Sequence, residues 1–244
     1  MLRLLRGEIY RLTHKKSAYL YFLGLAVAYV ALAYVRSGGF TGSSVLDDAM
    51  TFFGLLPALA GGFLFAAVYT DDLNSRNLIA LVGFGLGKTR IIIAKALLMA
   101  GSSLVIFAVV PVVHAGLYGV LGSPASPAVW TTLYAVSAKY WLMTVAFAVL
   151  SGIVVYGLQR TTFAVVAYIL LAFGVVSGLL ATGLKAFAPG LAGYLVGGIT
   201  DKIAAGLAAG GALVGPILQL AVYLVIAGTV SAIVFNKKEM EFAL

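Results

Sequence analysis

Charge is scarce in this chain. Asp, Glu, Lys and Arg together make up 10% of its 244 residues, against about 25% in soluble domains. There is no cysteine, which excludes disulfides, thiolate metal sites and cysteine nucleophiles. Only two histidines occur, His14 and His114; His14 belongs to the inward-facing interface at the opposite end from His114, so no two-histidine metal or haem site is credible. What remains is apolar: 62% of the residues are hydrophobic and the mean hydropathy is +1.08. Several charge-free windows reach the roughly 18 residues needed to cross a hydrocarbon core of about 30 Å. These runs are continuously apolar rather than alternating, which disfavours a β-barrel. The expected class is an all-α, multi-pass membrane protein forming a single transmembrane domain over residues 1–244, with no room left for a soluble catalytic domain.

Residues 1–16 place Leu2, Leu5, Ile9 and Leu12 at helical spacing, with cations largely off that stripe. This predicts an amphipathic helix lying in the membrane interface, with Arg3, Arg6, Arg11, Lys15 and Lys16 at the headgroups. The basic start, with no small-residue cleavage site after a short apolar core, argues against a cleavable signal peptide. Six spans are expected, at about 17–35, 50–68, 96–121, 134–157, 163–184 and 217–235. Asp47 and Asp48 fall in the short loop before the second span. Residues 185–216 are rich in Gly and Ala and interrupted by Asp201–Lys202, and predict two short re-entrant helices dipping into the outer interface before the last span.

Cations set the topology. With both termini cytoplasmic, twelve Lys and Arg fall inside and only Arg36, Lys139, Lys185 and Lys202 outside, a strong positive-inside bias. The net charge of +8 therefore speaks of topology and anionic lipid, and implies no nucleic-acid partner.

The run Gly83–Phe84–Gly85–Leu86–Gly87–Lys88–Thr89 invites a phosphate-loop reading. That motif requires a glycine where this chain has Val82, and a buried strand before it. The three glycines are better read as a turn between two helices. Ser151 and Ser177 precede glycines but lack the upstream glycine of a rhomboid-like protease. No carboxylate falls at the middle of any expected span, so the usual chemistry of an ion-coupled transporter is missing. Energy would then arrive through the cytoplasmic surface.

The surface that could receive it is Tyr69–Lys95, the only long charge-bearing stretch between two apolar spans in the first half of the chain. Thr70 is placed to cap a short helix whose first turn is Asp71–Asp72. That helix ends at Gly83, turns through Gly85 and Gly87, and leads through Lys88 and Arg90 into the third span. A short surface helix joined by tight turns to two spans can transmit a push; an ordinary solvated loop carrying positive-inside cations would look the same in composition.

The order of elements, together with Asp71–Asp72, Asn74–Arg76, Gly83, Gly85, Lys88, Arg90 and Lys95, resembles the permease subunits of type-2 ABC exporters. The resemblance is especially to the short six-span bacterial permeases that handle peptides and antibiotics. The resemblance implies that 71–82 is a coupling helix seated in a separate ATPase subunit, with Asp71, Asp72, Asn74, Arg76, Asn77, Gly83, Gly85, Lys88 and Arg90 at or near that contact. It further implies two permease copies with an ATPase dimer in a bacterial cell membrane. ATP and Mg would be bound by the ATPase subunit, and this chain would bind no cofactor and catalyse nothing itself. Where many relatives carry a Glu and then Gly-Thr, this chain has Asp71–Asp72 and then Asn74–Ser75. The apolar, aromatic composition suits an amphipathic or hydrophobic cargo, an antimicrobial or toxin peptide ahead of a lipophilic drug. A secondary transporter or channel working alone is the competing reading, and a membrane protein that merely docks a cytoplasmic partner is a third.

Overall fold

The computed structural model describes residues 2–36, 45–74, 81–120 and 125–237. Among these every regular element is a helix. Helix α1, Leu2–Thr13, is the amphipathic one. After the His14–Lys15 break, the Lys15 carbonyl accepts the Ala18 amide at 2.9 Å and α2 runs over Lys16–Arg36. Helix α3 spans Val45–Phe65, continues through a π-helical turn at Ala66–Thr70 and passes directly into α4, Asp71–Asn74.

The remaining helices are α5, Lys88–Val120; α6, Pro127–Leu158; α7, Thr161–Ala172; α8, Val175–Phe187; α9, Val196–Ala209; and α10, Val214–Lys237. A 3-10 turn at Pro189–Tyr194 precedes α9.

Among the described residues four segments are long and apolar enough to cross a membrane: Val45–Thr70, Lys88–Val120, Pro127–Leu158 and Val214–Lys237. The pair α7–α8 makes a fifth if a 58° bend is allowed within one span. Helix α2 contributes a shorter apolar stretch, Lys16–Ala31. This is a multi-pass helical architecture, and its long helices carry lipid-compatible side chains on their outer faces: Leu97, Val105 and Val109 on α5, and Leu218, Val225 and Ile226 on α10, are all exposed.

Two local expectations are corrected. The stretch 163–184 is not one straight helix. It breaks at Phe173–Gly174, where Gly174 adopts φ 73° and the Ser177 hydroxyl returns to its carbonyl at 3.0 Å. In 185–216 two short helices, the 3-10 helix Pro189–Tyr194 and α9, follow the end of α8 and precede the start of α10. Asp47 and Asp48 belong to the first turn of α3, not to a loop, where a carboxylate favours the positive end of the helix dipole.

Helix α6 is the hub, packed against α3, α5, α7, α9 and α10. Its start is defined by Ser126, whose hydroxyl accepts the Val129 amide at 3.4 Å, and by Pro127 at the first helical position. Small residues let the neighbours close in. A Cβ added at Gly61 of α3 would meet Thr144 Cγ2 of α6 at 2.9 Å and collide with the Tyr168 hydroxyl of α7. That same hydroxyl donates to the Pro57 carbonyl at 2.8 Å, so a kink-prone proline in α3 is bonded from the facing helix. Lys139 of α6 pairs with Asp201 of α9 at 2.6 Å, which ties the segment before the last helix to the hub.

At α5 the chain is longer than a bilayer requires. Its 33 residues extend about 50 Å at the usual rise of about 1.5 Å per residue, so both ends reach beyond a hydrocarbon core of about 30 Å. One end gathers α1, the α3–α4 junction, the α6–α7 link and the end of α10, and carries most of the cations. We refer to it as the basic end.

Candidate functional site at the basic end

Helix α1 is fastened to the bundle by charge. Glu8 is only 12% exposed at its side chain; it forms an ion pair with Lys95 Nζ of α5 at 3.0 Å and accepts a hydrogen bond from Arg11 Nη2 at 2.7 Å. The Lys95 ammonium is 2% exposed. Arg11 Nη2 also donates to the Ala67 carbonyl at 3.2 Å, inside the π-helical turn. One residue beyond that turn, Asp71 pairs with Lys15. The result is a chain of contacts from α1 to α3, α4 and α5. Leu5 and Leu12 back it up by packing on the main hydrophobic core.

The carbonyl that Arg11 meets lies within the π-helical turn. A π-helical bond spans five residues instead of four, and such turns recur at functional sites. In this turn the Asp71 amide bonds to the Ala66 carbonyl, and the Thr70 hydroxyl donates to the same oxygen at 2.8 Å. Thr70 is therefore not an N-cap. Its hydroxyl points back along a continuous helix, is buried, and opens no new one.

Residues 75–80 lie outside the described residues, and Arg76 and Asn77 with them. Asp72 and Asn74 are placed on α4. The chain re-enters as helix at 81–83 and closes in a Schellman motif. The Leu86 amide reaches the Leu81 carbonyl at 3.2 Å, and the Gly85 amide reaches that of Val82 at 2.9 Å. Gly85 takes φ 78°, the left-handed conformation this motif demands. Of the three glycines it alone does so; Gly83 is helical, and the Gly87 carbonyl accepts the Arg90 amide at 2.9 Å to start α5. The turn pushes Phe84 into the open, 86% exposed. Arg90 is exposed nearby. Lys88 turns the other way: its Nζ donates to the Phe235 carbonyl at 2.9 Å and lies 5.1 Å from that ring's centre, tying α5 to α10.

Beside α4 a polar recess of about 440 Å³ is lined by Leu73, Gln159, Arg160, Thr161, Thr162 and Phe163. Gln159 there adopts φ 52°, the only described non-glycine residue with a positive φ. The α6–α7 link thus sits next to the segment that leaves α3.

The cations expected at headgroups divide into two sets. Arg6 and Lys16 are exposed, whereas Arg11 and Lys15 are engaged inside the protein; the side chain of Arg3 lies outside the described residues. Glu8, Lys95 as a buried partner and Phe84 were not among the predicted site residues. Glu8 had a signal: it is the only carboxylate in a sixteen-residue basic stretch.

A second polar cluster lies at the opposite end. His114 of α5 is fully buried. One ring nitrogen bonds to the Tyr29 hydroxyl of α2 and the other to the Val45 carbonyl at 2.7 Å. Tyr118 donates to Asp48 of α3, itself 7% exposed. Among the described residues no group of three or more His, Asp or Glu could hold a metal ion.

No protein-family model matches this sequence, and no curated protein matches it at a significant level.

Proposed function

We propose that this chain is the membrane-spanning permease subunit of an ATP-driven exporter, and that residues 71–85 receive the stroke of a separate ATPase. The single observation that carries the reading is the charged clasp at the basic end. Through Glu8, Arg11 and Lys15 the interfacial helix is bonded to the root of the loop (Ala67 and Asp71) and to the helix that follows it (Lys95). A push on the loop would move three helices together, because each ion pair resists separation of the elements it joins.

The exposed Phe84 and Arg90 and the recess at Leu73–Arg160 supply what a docking partner would grip. Aromatic and Arg anchors of this kind dominate protein interfaces. In this reading the basic end faces the cytoplasm, following the positive-inside rule, α2 counts as the first of six spans, and α9 with the preceding turn forms the outer segment. The working unit is two permeases with two ATPase subunits, and the cargo is amphipathic or hydrophobic, a membrane-active peptide in preference to a drug.

The test is joint purification of the chain with its ATPase subunit, followed by Phe84→Ala and Arg90→Ala. Loss of the complex with intact membrane insertion is expected. Cargo transport by the chain alone, with no ATPase present, would sink the proposal.

One observation favours a second reading, a secondary transporter acting alone. Asp48 is buried beside Tyr118 and close to His114, so the bundle does hold a sequestered carboxylate of the type that coupling ions use. It sits in the first turn of α3 rather than at mid-depth. Uptake driven by a proton gradient in liposomes, abolished by Asp48→Asn, would establish that reading in place of the first.

A further inference from the structure

An apolar groove of about 670 Å³ runs between α1, α2, α3 and α5, within the range of pockets that hold small ligands, about 300–1,000 Å³. Leu12, Phe22, Leu98, Val105 and Ile106 supply its walls, and Gly101 leaves part of its floor without a side chain. Only Thr13, Tyr19 and Ser102 bring side-chain oxygen to the lining. The Ser102 hydroxyl is turned back to the Leu98 carbonyl at 2.7 Å, which leaves that wall apolar. At its mouth the Tyr19 hydroxyl bonds to the Thr13 carbonyl, spanning the break between α1 and α2. The contacts of Glu8 and Arg11 fix α1 against α5 and the end of α3, so this wall of the groove is preformed.

Its rim is basic. Arg6 lies on the stripe of α1 that continues through Ile9 and Thr13, both lining residues. Lys16 follows the break, and both cations are exposed. Arg11 and Lys15 are consumed by carboxylates of the protein, but Arg6 and Lys16 face outward at the level where an interfacial helix meets headgroups. An apolar channel roofed by an amphipathic helix and rimmed by cations is complementary to one molecule class: acyl chain within, anionic head at the edge.

We propose that this groove is a specific site for one anionic phospholipid, its acyl chain between α1 and α5 and its phosphate against Arg6 and Lys16. The inference requires the chain to lie in a membrane and is independent of any ATPase.

The test is native mass spectrometry of the purified, delipidated full chain titrated with phosphatidylglycerol or phosphatidylcholine. Saturable binding of one phosphatidylglycerol is expected, preferred over phosphatidylcholine by about 25-fold, the factor for two basic residues beside an anionic surface. Lys16→Gln should reduce that preference about fivefold without touching the packing. Gly101→Leu, whose new side chain has open space before it, should displace both lipids at least tenfold. Equal, unsaturable binding of the two lipids would overturn the site as an ordinary annulus. Unchanged binding in both variants would overturn it as well. So would a protein dimer that takes up no lipid and separates in Gly101→Leu, since a second copy would then fill the groove.

Discussion

The two ends of α3 and α5 are closed by polar contacts of opposite character. At the basic end the lock to the N-terminal region is ionic: Glu8 with Lys95 and Arg11, and Lys15 with Asp71. At the other end it is made of hydroxyl, imidazole and backbone carbonyl groups around one carboxylate: Tyr29, His114, Val45, Tyr118 and Asp48. The difference follows from how each side can be satisfied. Charges survive out of water only when each has a counter-charge and further hydrogen bonds, and α1 brings both signs. Helix α2 brings a tyrosine, which can bury a donor without a net charge. The ionic end resists separation of its helices but depends on every partner; the hydroxyl-rich end spreads its contacts over more hydrogen bonds.

The largest effect is therefore expected at Glu8. Glu8→Ala removes the carboxylate that pairs with both Lys95, 2% exposed, and Arg11, and breaking a buried pair of this kind costs about 3–5 kcal/mol. Thermal unfolding in detergent should show it, and Glu8→Gln combined with Lys95→Met should recover much of the loss. If Glu8→Ala unfolds at the wild-type temperature, the ionic lock is not a structural element and the comparison fails. At the hydroxyl-rich end, Tyr118→Phe removes one hydrogen bond to buried Asp48 and should cost about 1–3 kcal/mol, less than Glu8→Ala in the same assay. An equal or larger loss would reverse the ranking of the two ends.

Gly85→Ala tests the turn between them in sequence. A Cβ at φ 78° should cost about 1–2 kcal/mol, and limited proteolysis near Phe84 should accelerate. The smallest stability effect is expected for Lys15→Ala, whose pair with Asp71 is about one-third exposed on each side and is worth about 0.2–1 kcal/mol. If the proposed coupling holds, this variant should nonetheless lose transport in the assembled exporter while keeping its unfolding temperature. Parallel loss of both would make the pair purely structural.

Much of the architecture was legible because lipid is an unforgiving solvent. Charge-free windows can only be buried helices or membrane helices, and the amphipathic stripe of Leu2, Leu5, Ile9 and Leu12 admits one orientation at an interface. The Gly-rich turn after residue 83 was legible too, since a left-handed position nearly requires glycine, although which glycine took it was not. Thr70 misled because a hydroxyl before two acidic residues looks like a cap. Inside a continuous helix it bonds backward, and nothing local announces that the helix is continuous through a π turn. The break at Gly174 was hidden in an unbroken apolar run, where hydropathy is blind to φ. Glu8 and Asp48 were legible as charges but not as partners.

Composition and periodicity, then, were enough for the membrane class, the helical content and the basic stretches, because these depend on what each segment does with water and lipid taken singly. The pairing of Glu8 with Lys95 across 87 positions of chain, the burial of His114 between α2 and α3, and the groove beneath α1 belong to the assembled bundle alone. They arise when separate helices meet, and a contact between distant residues has an energy only once the fold has brought them within reach.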